Sequence, residues 1–266
     1  MSDDAGRVVQ LPQGARRVVS LLPTVTDLIV AMGQSQRLIA RTDYDVDPRL
    51  ARLPSIGGGL TPSIEWLAAQ RPDLVVSWPD NGSRSLVTKL NSIGVTVYAA
   101  RPESITDALR IIRNLGVLLA ATSSADSLAH AIQSSLDSTR RAVANLKVVR
   151  TAYVLSIDPP TVAGPNTFID ELIGIAGGEN VFADVAQPWP QVNLEELLRR
   201  DPDVLVLAGE SSRDSQAALQ RLPGWRDLRA VRAKHVYRVS PDYFNRSGPL
   251  MPRAARELSG FFAAAR

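Results

Sequence analysis

The chain has 266 residues, 45% of them hydrophobic, with a formal net charge of +3 and no cysteine. This composition predicts a globular chain, and it excludes disordered, collagen-like and disulfide-stapled proteins as well as thiolate catalysis, cysteine zinc sites and iron–sulfur ligation. No uncharged apolar run approaches the roughly 18 residues that a membrane span needs, and the arginines are scattered among the acids, so we expect neither a membrane span nor nucleic-acid binding.

Short β-branched or leucine-rich runs alternate with amphipathic stretches over the first 120 residues, which is typical of an α/β protein with parallel strands. Pro23 and Thr24 are predicted to form a loop between the first strand and the first helix. We predict strands at residues 17–22, 38–41, 73–78 and 95–99, and helices at residues 25–32, 63–70, 83–93 and 104–119.

Residues 123–146 have a different pattern, with neither Gly nor Pro and with apolar residues at steps of four and three. The pattern predicts one helix of roughly 36 Å, too long for an ordinary crossover. Two interpretations remain open: a surface helix with one buried stripe, or a stiff connector between two lobes. On the second, the domains are an N-terminal lobe at 1–120, a connecting helix at 121–148 and a C-terminal lobe at 149–266.

Two sequence segments recur on either side of this helix. Residues 63–76 match residues 193–206 at a constant offset of 130, which sets Glu65 against Glu195, and residues 28–33 match residues 172–177. Two matches in the same order predict two related α/β lobes. The dipole of a helix alone explains a glutamate in its first turn, but the duplicated pair would also suit docking onto a two-fold symmetric partner that carries arginines.

The sequence carries no enzyme or metal-site signature. Residues 57–59 are three glycines, but no helix follows that could hold a pyrophosphate. Residues 43–47 resemble the start of a calcium loop, yet Pro48 and Pro54 stand where Gly and Glu are needed. Neither His130 nor His235 has a neighbouring ligand pattern. We therefore predict no enzyme activity, no catalytic residue, no metal site and no catalytic cofactor.

Several of the few aromatic residues stand where strands end or in loops. Ligands of open α/β sheets bind outside the carboxyl ends of the strands, so these residues would line one cleft; the alternative for each is that it packs a loop. Trp189, held between two prolines, is the strongest candidate. The others are Tyr44, Trp78, Tyr243 and Phe244.

The chain resembles the substrate-binding proteins of cobalamin, siderophore and haem importers, most closely the cobalamin-binding members. The residues that carry the resemblance are 17–27, 62–78, 177–184, 188–197 and 242–247, and the most specific motif is Pro-Trp-Pro-Gln-Val at 188–192 with a glutamate a few residues on. The resemblance implies an α/β fold of two Rossmann-like lobes with parallel sheets, joined by one long helix, the class III periplasmic-binding-protein fold.

The resemblance also implies roles for individual residues. Trp189 would lie against a corrinoid, Asp242, Tyr243, Phe244 and Arg246 would form a second wall, and Tyr44, Trp78 and the loop of Pro23 and Thr24 would close the other side of a cleft between the lobes. Glu65 and Glu195 would pair with arginines of a membrane permease. The chain departs from the family at Gly59 and Tyr243, where the cobalamin binders carry Trp, and this leaves the choice of corrinoid open.

The implied function is a bacterial, monomeric receptor that delivers cobalamin, as a transported ligand, to the permease dimer and ATPase of an ABC importer. The alternatives are an iron-siderophore or haem receptor, with Tyr44 as the candidate axial ligand of haem, and an enzyme on the same scaffold. Residues 1–6 have neither the basic and apolar regions of a leader nor a lipid-acceptor cysteine. We expect a periplasmic or cell-envelope protein if a leader has been removed, and a cytoplasmic one if Met1 is the native start.

Overall fold

The computed structural model describes residues 1–60, 62–79, 83–209 and 215–266, with the backbone alone for residues 83–86. The chain divides into two compact units, one formed by residues 1–102 and 106–131 and the other by residues 103–105 and 132–266. Each unit contains its own sheet with helices around it, which confirms the predicted α/β class.

The first unit is built on a three-stranded parallel sheet in the order β1-β2-β3. Val18 pairs with Leu74, and Leu74 pairs with Thr96. β1 and β2 are buried along their whole length, which explains why they are continuous apolar runs rather than alternating ones. The elements of this part of the chain are β1 (Val18–Ser20), α1 (Pro23–Ala31), α2 (Ile64–Gln70), β2 (Leu74–Ser77), α3 (Ser83–Ser92), β3 (Thr96–Ala99) and α4 (Ile105–Leu118).

Two sequence predictions for this unit were wrong. Pro23 and Thr24 are not a loop but the first residues of α1, because proline already has the φ angle of a helix and the N–H that it lacks has no partner in a first turn. Residues 38–41 do not form a strand. They make isolated bridges only, from Leu38 to Val18 and from Arg41 to Ser55, because the segment leaves the sheet after one pairing.

The predicted long helix is confirmed as α5 (Thr122–Val143), whose 22 residues extend roughly 33 Å. Its buried residues recur at steps of four and three: Ala125, Ala129, Ile132, Leu136, Thr139 and Val143. The chain passes from the first unit to the second within this helix, between residues 131 and 132. Within the described part of the chain, no helix has both the length and the apolar character to span a membrane.

The second unit contains a five-stranded sheet in the order β5-β4-β7-β8, with β6 also beside β4. The pairings are parallel except that of β5 with β4, which is an antiparallel hairpin that the sequence did not predict. Phe182, Leu205 and Trp225 are part of its core. The elements are β4 (Val149–Ile157), β5 (Pro160–Val162), α6 (Phe168–Ile175), β6 (Gly178–Asn180), α7 (Leu194–Arg200), β7 (Val204–Leu207), α8 (Gln216–Leu219), α9 (Arg229–Arg232), β8 (Val236–Arg238), α10 (Pro241–Phe244) and α11 (Met251–Ala265).

The repeated sequence makes the same local structure in both units. The Asp73 carboxylate accepts hydrogen bonds from the backbone N–H groups of Arg16 and Arg17, and the Arg17 guanidinium donates to the last carbonyls of α2, those of Gln70 and Arg71. The second unit has the same arrangement. The Asp203 carboxylate accepts from the backbone N–H of Arg150, and the Arg150 guanidinium donates to the carbonyls of Arg200 and Asp201. We call this arrangement the arginine clamp. It joins the end of a helix to the start of the neighbouring strand, and it satisfies carbonyls that a helix leaves without partners.

Candidate functional site

In the first unit, the predicted site residues follow the carboxyl ends of the strands. β2 leads directly into Trp78, whose side chain is 38% exposed. The N–H of Leu21, which follows β1, donates to the carbonyl of Val76 at 2.9 Å, so the ends of β1 and β2 lie side by side. Pro23 and Thr24 are half-buried at the start of α1. Trp78 and the start of α1 therefore share the sheet edge where α/β proteins bind ligands.

Tyr44 lies on a loop that is held in place by three acids. Asp43 accepts a hydrogen bond from the Ser55 hydroxyl, and the buried Asp45 accepts one from the backbone N–H of Thr42. Asp47 accepts from the backbone and guanidinium of Arg49, and these bonds hold the pKa of Asp47 below its usual value. Tyr44, between these acids, is 60% exposed. Among the residues described, no three His, Cys, Asp or Glu are grouped so that they could bind a metal ion.

The backbone conformation and surroundings of position 59 require a glycine. Its φ angle is +84°, and a Cβ atom at this position would lie far inside van der Waals distance of the Leu21 carbonyl oxygen. Both features disfavour any other residue. The tryptophan that the resemblance leads one to expect at position 59 therefore cannot be accommodated unless the loop moves away from β1.

In the second unit, Trp189 stands on a segment that lies beside β5, residues 187–191, which we call the tryptophan strap. The carbonyl of Pro188 accepts from the N–H of Gly164 at 2.8 Å, and the carbonyl of Pro190 accepts from the N–H of Val162 at 3.1 Å. Because prolines lack an N–H, they can serve here only as acceptors on the outer side of a sheet. The two bonds flank Trp189 and fix its backbone while its side chain remains 38% exposed.

A continuous row of paired residues connects the strap with the other candidates of this unit. Pro190 bonds to Val162, Val162 lies opposite Val154, Val154 opposite Leu207, and Leu207 opposite Arg238. The row crosses four strand spacings, roughly 19 Å. α10 begins three residues after Arg238, so Trp189 and α10 lie at the same carboxyl edge of the sheet and toward its opposite sides.

The residues on and after α10 do not all face the surface. Asp242 is exposed, and the half-buried Arg246 approaches it at 4.0 Å between the guanidinium and a carboxylate oxygen. Phe244 is fully buried against Tyr153 and Tyr243, so the structure does not support its expected place in a ligand wall. An aromatic residue beside a polar one suits the protein core as well as a ligand site. The sequence alone therefore could not show which of these two positions Phe244 takes.

Tyr243 is half-buried and turned toward α11. Its hydroxyl donates to Glu257, and the guanidinium carbon of Arg253 lies 4.8 Å from the centre of its ring. Burial and the hydrogen bond to Glu257 raise the pKa of Tyr243 to about 12. Tyr243 therefore stays neutral at physiological pH, and the Arg253 guanidinium lies over its ring.

Glu65 and Glu195 occupy matching positions, each in the first turn of a helix. Ser63 caps α2 by accepting from the N–H of Trp66, and Asn193 caps α7 by accepting from the N–H of Glu196. The backbone N–H of Glu65 and the Ser63 hydroxyl donate to the Glu65 carboxylate and hold its pKa below the usual value. Both glutamates present a negative charge at a capped helix start.

Two exposed apolar residues, on the loop of Tyr44 and on the loop bonded to it, were not predicted from the sequence. Val46 is 60% exposed and Leu60 is 67% exposed. Residues 43–47 alternate acidic with apolar side chains, and although residues 43 and 44 form a turn rather than a strand, Asp45 is buried while Tyr44 and Val46 are exposed. That alternation could have revealed Val46, whereas Leu60 has no comparable signal.

A family model described as periplasmic binding protein matches residues 18–243. The chain belongs to the periplasmic binding protein family. A vitamin B12-binding protein of Vibrio parahaemolyticus is 31% identical over 249 residues, which cover 92% of this chain and 89% of that protein. The resemblance noted in the sequence is thereby confirmed. The curated relatives are named as vitamin B12-binding proteins.

Solved structures of periplasmic binding proteins share the fold over nearly the whole chain. The periplasmic vitamin B12-binding protein of Vibrio cholerae is 28% identical, with a TM-score of 0.79 over 94% of this chain and 98% of that one. A periplasmic haem-binding protein of Roseiflexus is 26% identical, with a TM-score of 0.83 over 95% of this chain and 100% of that one. These matches confirm the class III fold, but fold similarity does not separate a corrinoid receptor from a haem receptor.

Proposed function

We propose that this periplasmic binding protein captures cobalamin or a related corrinoid and delivers it to the permease dimer and ATPase of an ABC importer. The observation that carries the proposal is Trp189, fixed by backbone hydrogen bonds on both sides and exposed at the carboxyl edge of its sheet. A rigid aromatic face suits a flat, largely apolar macrocycle because little side-chain entropy is lost when the ligand binds. The identity to the Vibrio parahaemolyticus protein supports the same ligand class.

Titration with cyanocobalamin tests this proposal. We expect tryptophan fluorescence to be quenched and the visible corrin spectrum to shift at micromolar protein. Trp189→Ala should weaken binding by about tenfold or more, since a buried aromatic contact dominates such an interface. Trp66→Ala, which removes a half-buried tryptophan on α2, is the matched control and should bind like the wild type. Unchanged spectra with the wild-type protein would disprove the ligand assignment.

Haem is the second candidate ligand, and the Roseiflexus haem-binding protein is the observation that favours it. Tyr44 is exposed at the sheet edge of the first unit and is the candidate axial ligand. Titration with haem and with a ferric siderophore under the same conditions compares the ligands directly. A haem Soret band that shifts in the wild type and not in Tyr44→Phe, without any response to cobalamin, would favour the haem receptor.

Glu65 and Glu195 are the residues that we propose for docking onto the permease. They carry negative charge at equivalent positions of the repeated sequence, and such a pair suits arginines of a symmetric partner. The double variant Glu65→Ala/Glu195→Ala should bind ligand normally and associate more weakly with the permease in detergent. Asp126→Ala/Glu179→Ala, which removes two exposed acids elsewhere, is the charge-matched control. Equal association of both double variants would refute the docking role.

The domain organisation and cellular location complete the proposal. We propose that the N-terminal lobe, the connecting helix and the C-terminal lobe have the boundaries expected from the sequence, that the receptor is a monomer, and that it acts in the periplasm or cell envelope. The chain passes from one compact unit to the other within α5, which supports the connecting role of this helix. Size-exclusion chromatography with light scattering tests the monomer, and a dimer mass would contradict it.

A further inference from the structure

The loop of Tyr44 shows an inverted distribution of polar and apolar side chains. The acids Asp45 and Asp47 are buried or half-buried and hydrogen-bonded, whereas Tyr44 and Val46 are each 60% exposed. Burial of apolar side chains normally stabilises a fold, so a loop that buries or half-buries two of its three acids and exposes its apolar residues forgoes that stabilisation. Exposed apolar groups gathered in one place indicate a binding surface.

A second loop, which lies against the first, supplies another exposed apolar residue. Gly58 lies close to the ring of Tyr44, since a Cβ at Gly58 would be 3.4 Å from Tyr44 Cε2. Gly59 lies against Leu21 and Thr42, and Leu60, the next residue, is 67% exposed. We call the two aliphatic residues, Val46 and Leu60, the aliphatic patch.

The two loops that carry the aliphatic patch are joined by backbone hydrogen bonds. The N–H of Arg41 donates to the carbonyl of Pro54, the N–H of Ile56 to the carbonyl of Arg41, and the N–H of Asp43 to the carbonyl of Gly57. Ser55 adds its bond to Asp43. A patch on paired, bonded loops is preorganised, so a ligand loses little affinity in ordering it.

The position of the aliphatic patch connects it with the candidate site. Gly59 packs against Leu21, the residue that follows β1, and Leu21 is bonded to β2 just before Trp78. The patch thus adjoins the carboxyl edge of the parallel sheet, where open α/β sheets bind their ligands. Since Gly59 cannot carry an aromatic side chain, the apolar contact on this unit must come from other residues.

We propose that Val46 and Leu60, together with Tyr44, form the contact of the first unit with the corrinoid, in place of an aromatic side chain at position 59, which the backbone there does not accept. The inference rests on the proposed corrinoid function and names which residues determine affinity on this unit. Aliphatic side chains offer less flat area than an indole, so the patch favours contact with the apolar rim of the macrocycle over stacking on its face.

Affinity measurements with cyanocobalamin on single variants test the proposal. Val46→Ser and Leu60→Ser should each weaken binding by about fivefold to twentyfold, as expected for losing a buried aliphatic contact. Val8→Ser is the matched control: Val8 is 76% exposed and lines a surface pocket with Val95 and Thr96 at the amino end of β3, so its replacement should leave affinity within twofold. Equal melting temperatures of the variants establish that each is folded.

A gain of signal provides an independent test. Leu60→Trp should show additional fluorescence that cyanocobalamin quenches, whereas Val8→Trp should add fluorescence that the ligand leaves unchanged. If the wild type binds cobalamin and both serine variants bind within twofold of it, the aliphatic patch is refuted while the corrinoid function stands. If the wild type binds no corrinoid, the proposed function fails and the patch with it.

Discussion

Gly59 shows how a single residue can fix the chemistry of a site. Its positive φ angle and its approach to the Leu21 carbonyl are two independent constraints on the residue at this position. Comparison with the two neighbouring glycines shows the effect of each constraint. Gly57 also has a positive φ angle, of +78°, but an added Cβ there would meet no atom within 4 Å. Gly58 has neither constraint and would only touch Tyr44.

Alanine substitutions at these glycines should therefore have graded effects on stability. We expect Gly57→Ala to lower the free energy of unfolding by about 1 kcal/mol, the cost of a left-handed alanine, and Gly59→Ala by about 2–4 kcal/mol, because the collision adds to that cost. Urea denaturation measures both. Equal losses at the two positions would show that the Leu21 contact relaxes without cost.

The ionisation of Tyr243 should make the stability of the protein depend on pH. Its pKa is raised to about 12 in the folded chain by burial and by the hydrogen bond to Glu257, whereas an exposed tyrosine ionises near pH 10. The neutral form is favoured by folding, so this contribution to stability is complete below about pH 10 and is lost as the pH rises towards about 12.

The variant Tyr243→Phe has no ionising group at this position. Its free energy of unfolding should therefore fall less than that of the wild type between about pH 9 and about pH 11. Three other tyrosines with raised pKa values remain in both proteins: Tyr98, Tyr153 and Tyr237. The difference between the two free energies of unfolding therefore reports on Tyr243 alone. Parallel curves for the two proteins would mean that Tyr243 ionises as it does in the unfolded chain.

Helices α2 and α7 are the clearest product of the repeated sequence. Each has seven residues, begins after a capping side chain and ends in a left-handed residue other than glycine, Arg71 or Asp201. Helices this short gain little from propensity, so caps and the arginine clamp carry an unusual share of their stability.

Removing the caps tests whether the two copies are equivalent. Ser63→Ala and Asn193→Ala should each destabilise the protein by about 1 kcal/mol, because each leaves a backbone N–H of the first turn without its acceptor. The comparison control is Ser92→Ala, at the last residue of α3, whose hydroxyl donates to a backbone carbonyl and caps no N–H group. Denaturant melts of the three variants provide the comparison, and a cost at only one of the two caps would show that the repeats have diverged energetically.

Ligand binding should stabilise the whole molecule by mass action. A ligand at a hundred times its dissociation constant adds about 2.7 kcal/mol to the folded state, which for a chain of this length raises the melting temperature by about 5–10 °C. We expect this shift with cyanocobalamin and a much smaller one with haem or a ferric siderophore. A larger shift with haem would reverse the ligand assignment.

The long helix and the repeated segments could be predicted because their signals are local and periodic. The steps of four and three in α5 and the offset of 130 between α2 and α7 depend only on the order of residues along the chain. The strand predicted at 38–41 failed because pairing depends on a neighbour distant in sequence, and one bridge at Leu38 is all that the fold provides.

The sequence by itself determined the α/β class, the duplicated lobes, the stiff setting of Trp189 between two prolines and the family. Only the tertiary structure decided that Phe244 is buried, that Tyr243 turns toward Glu257, and that Val46 and Leu60 are exposed on the loop of Tyr44 and the loop bonded to it. The physical reason is that local conformation follows from neighbouring residues, whereas burial and exposure follow from which distant segments pack against each side chain.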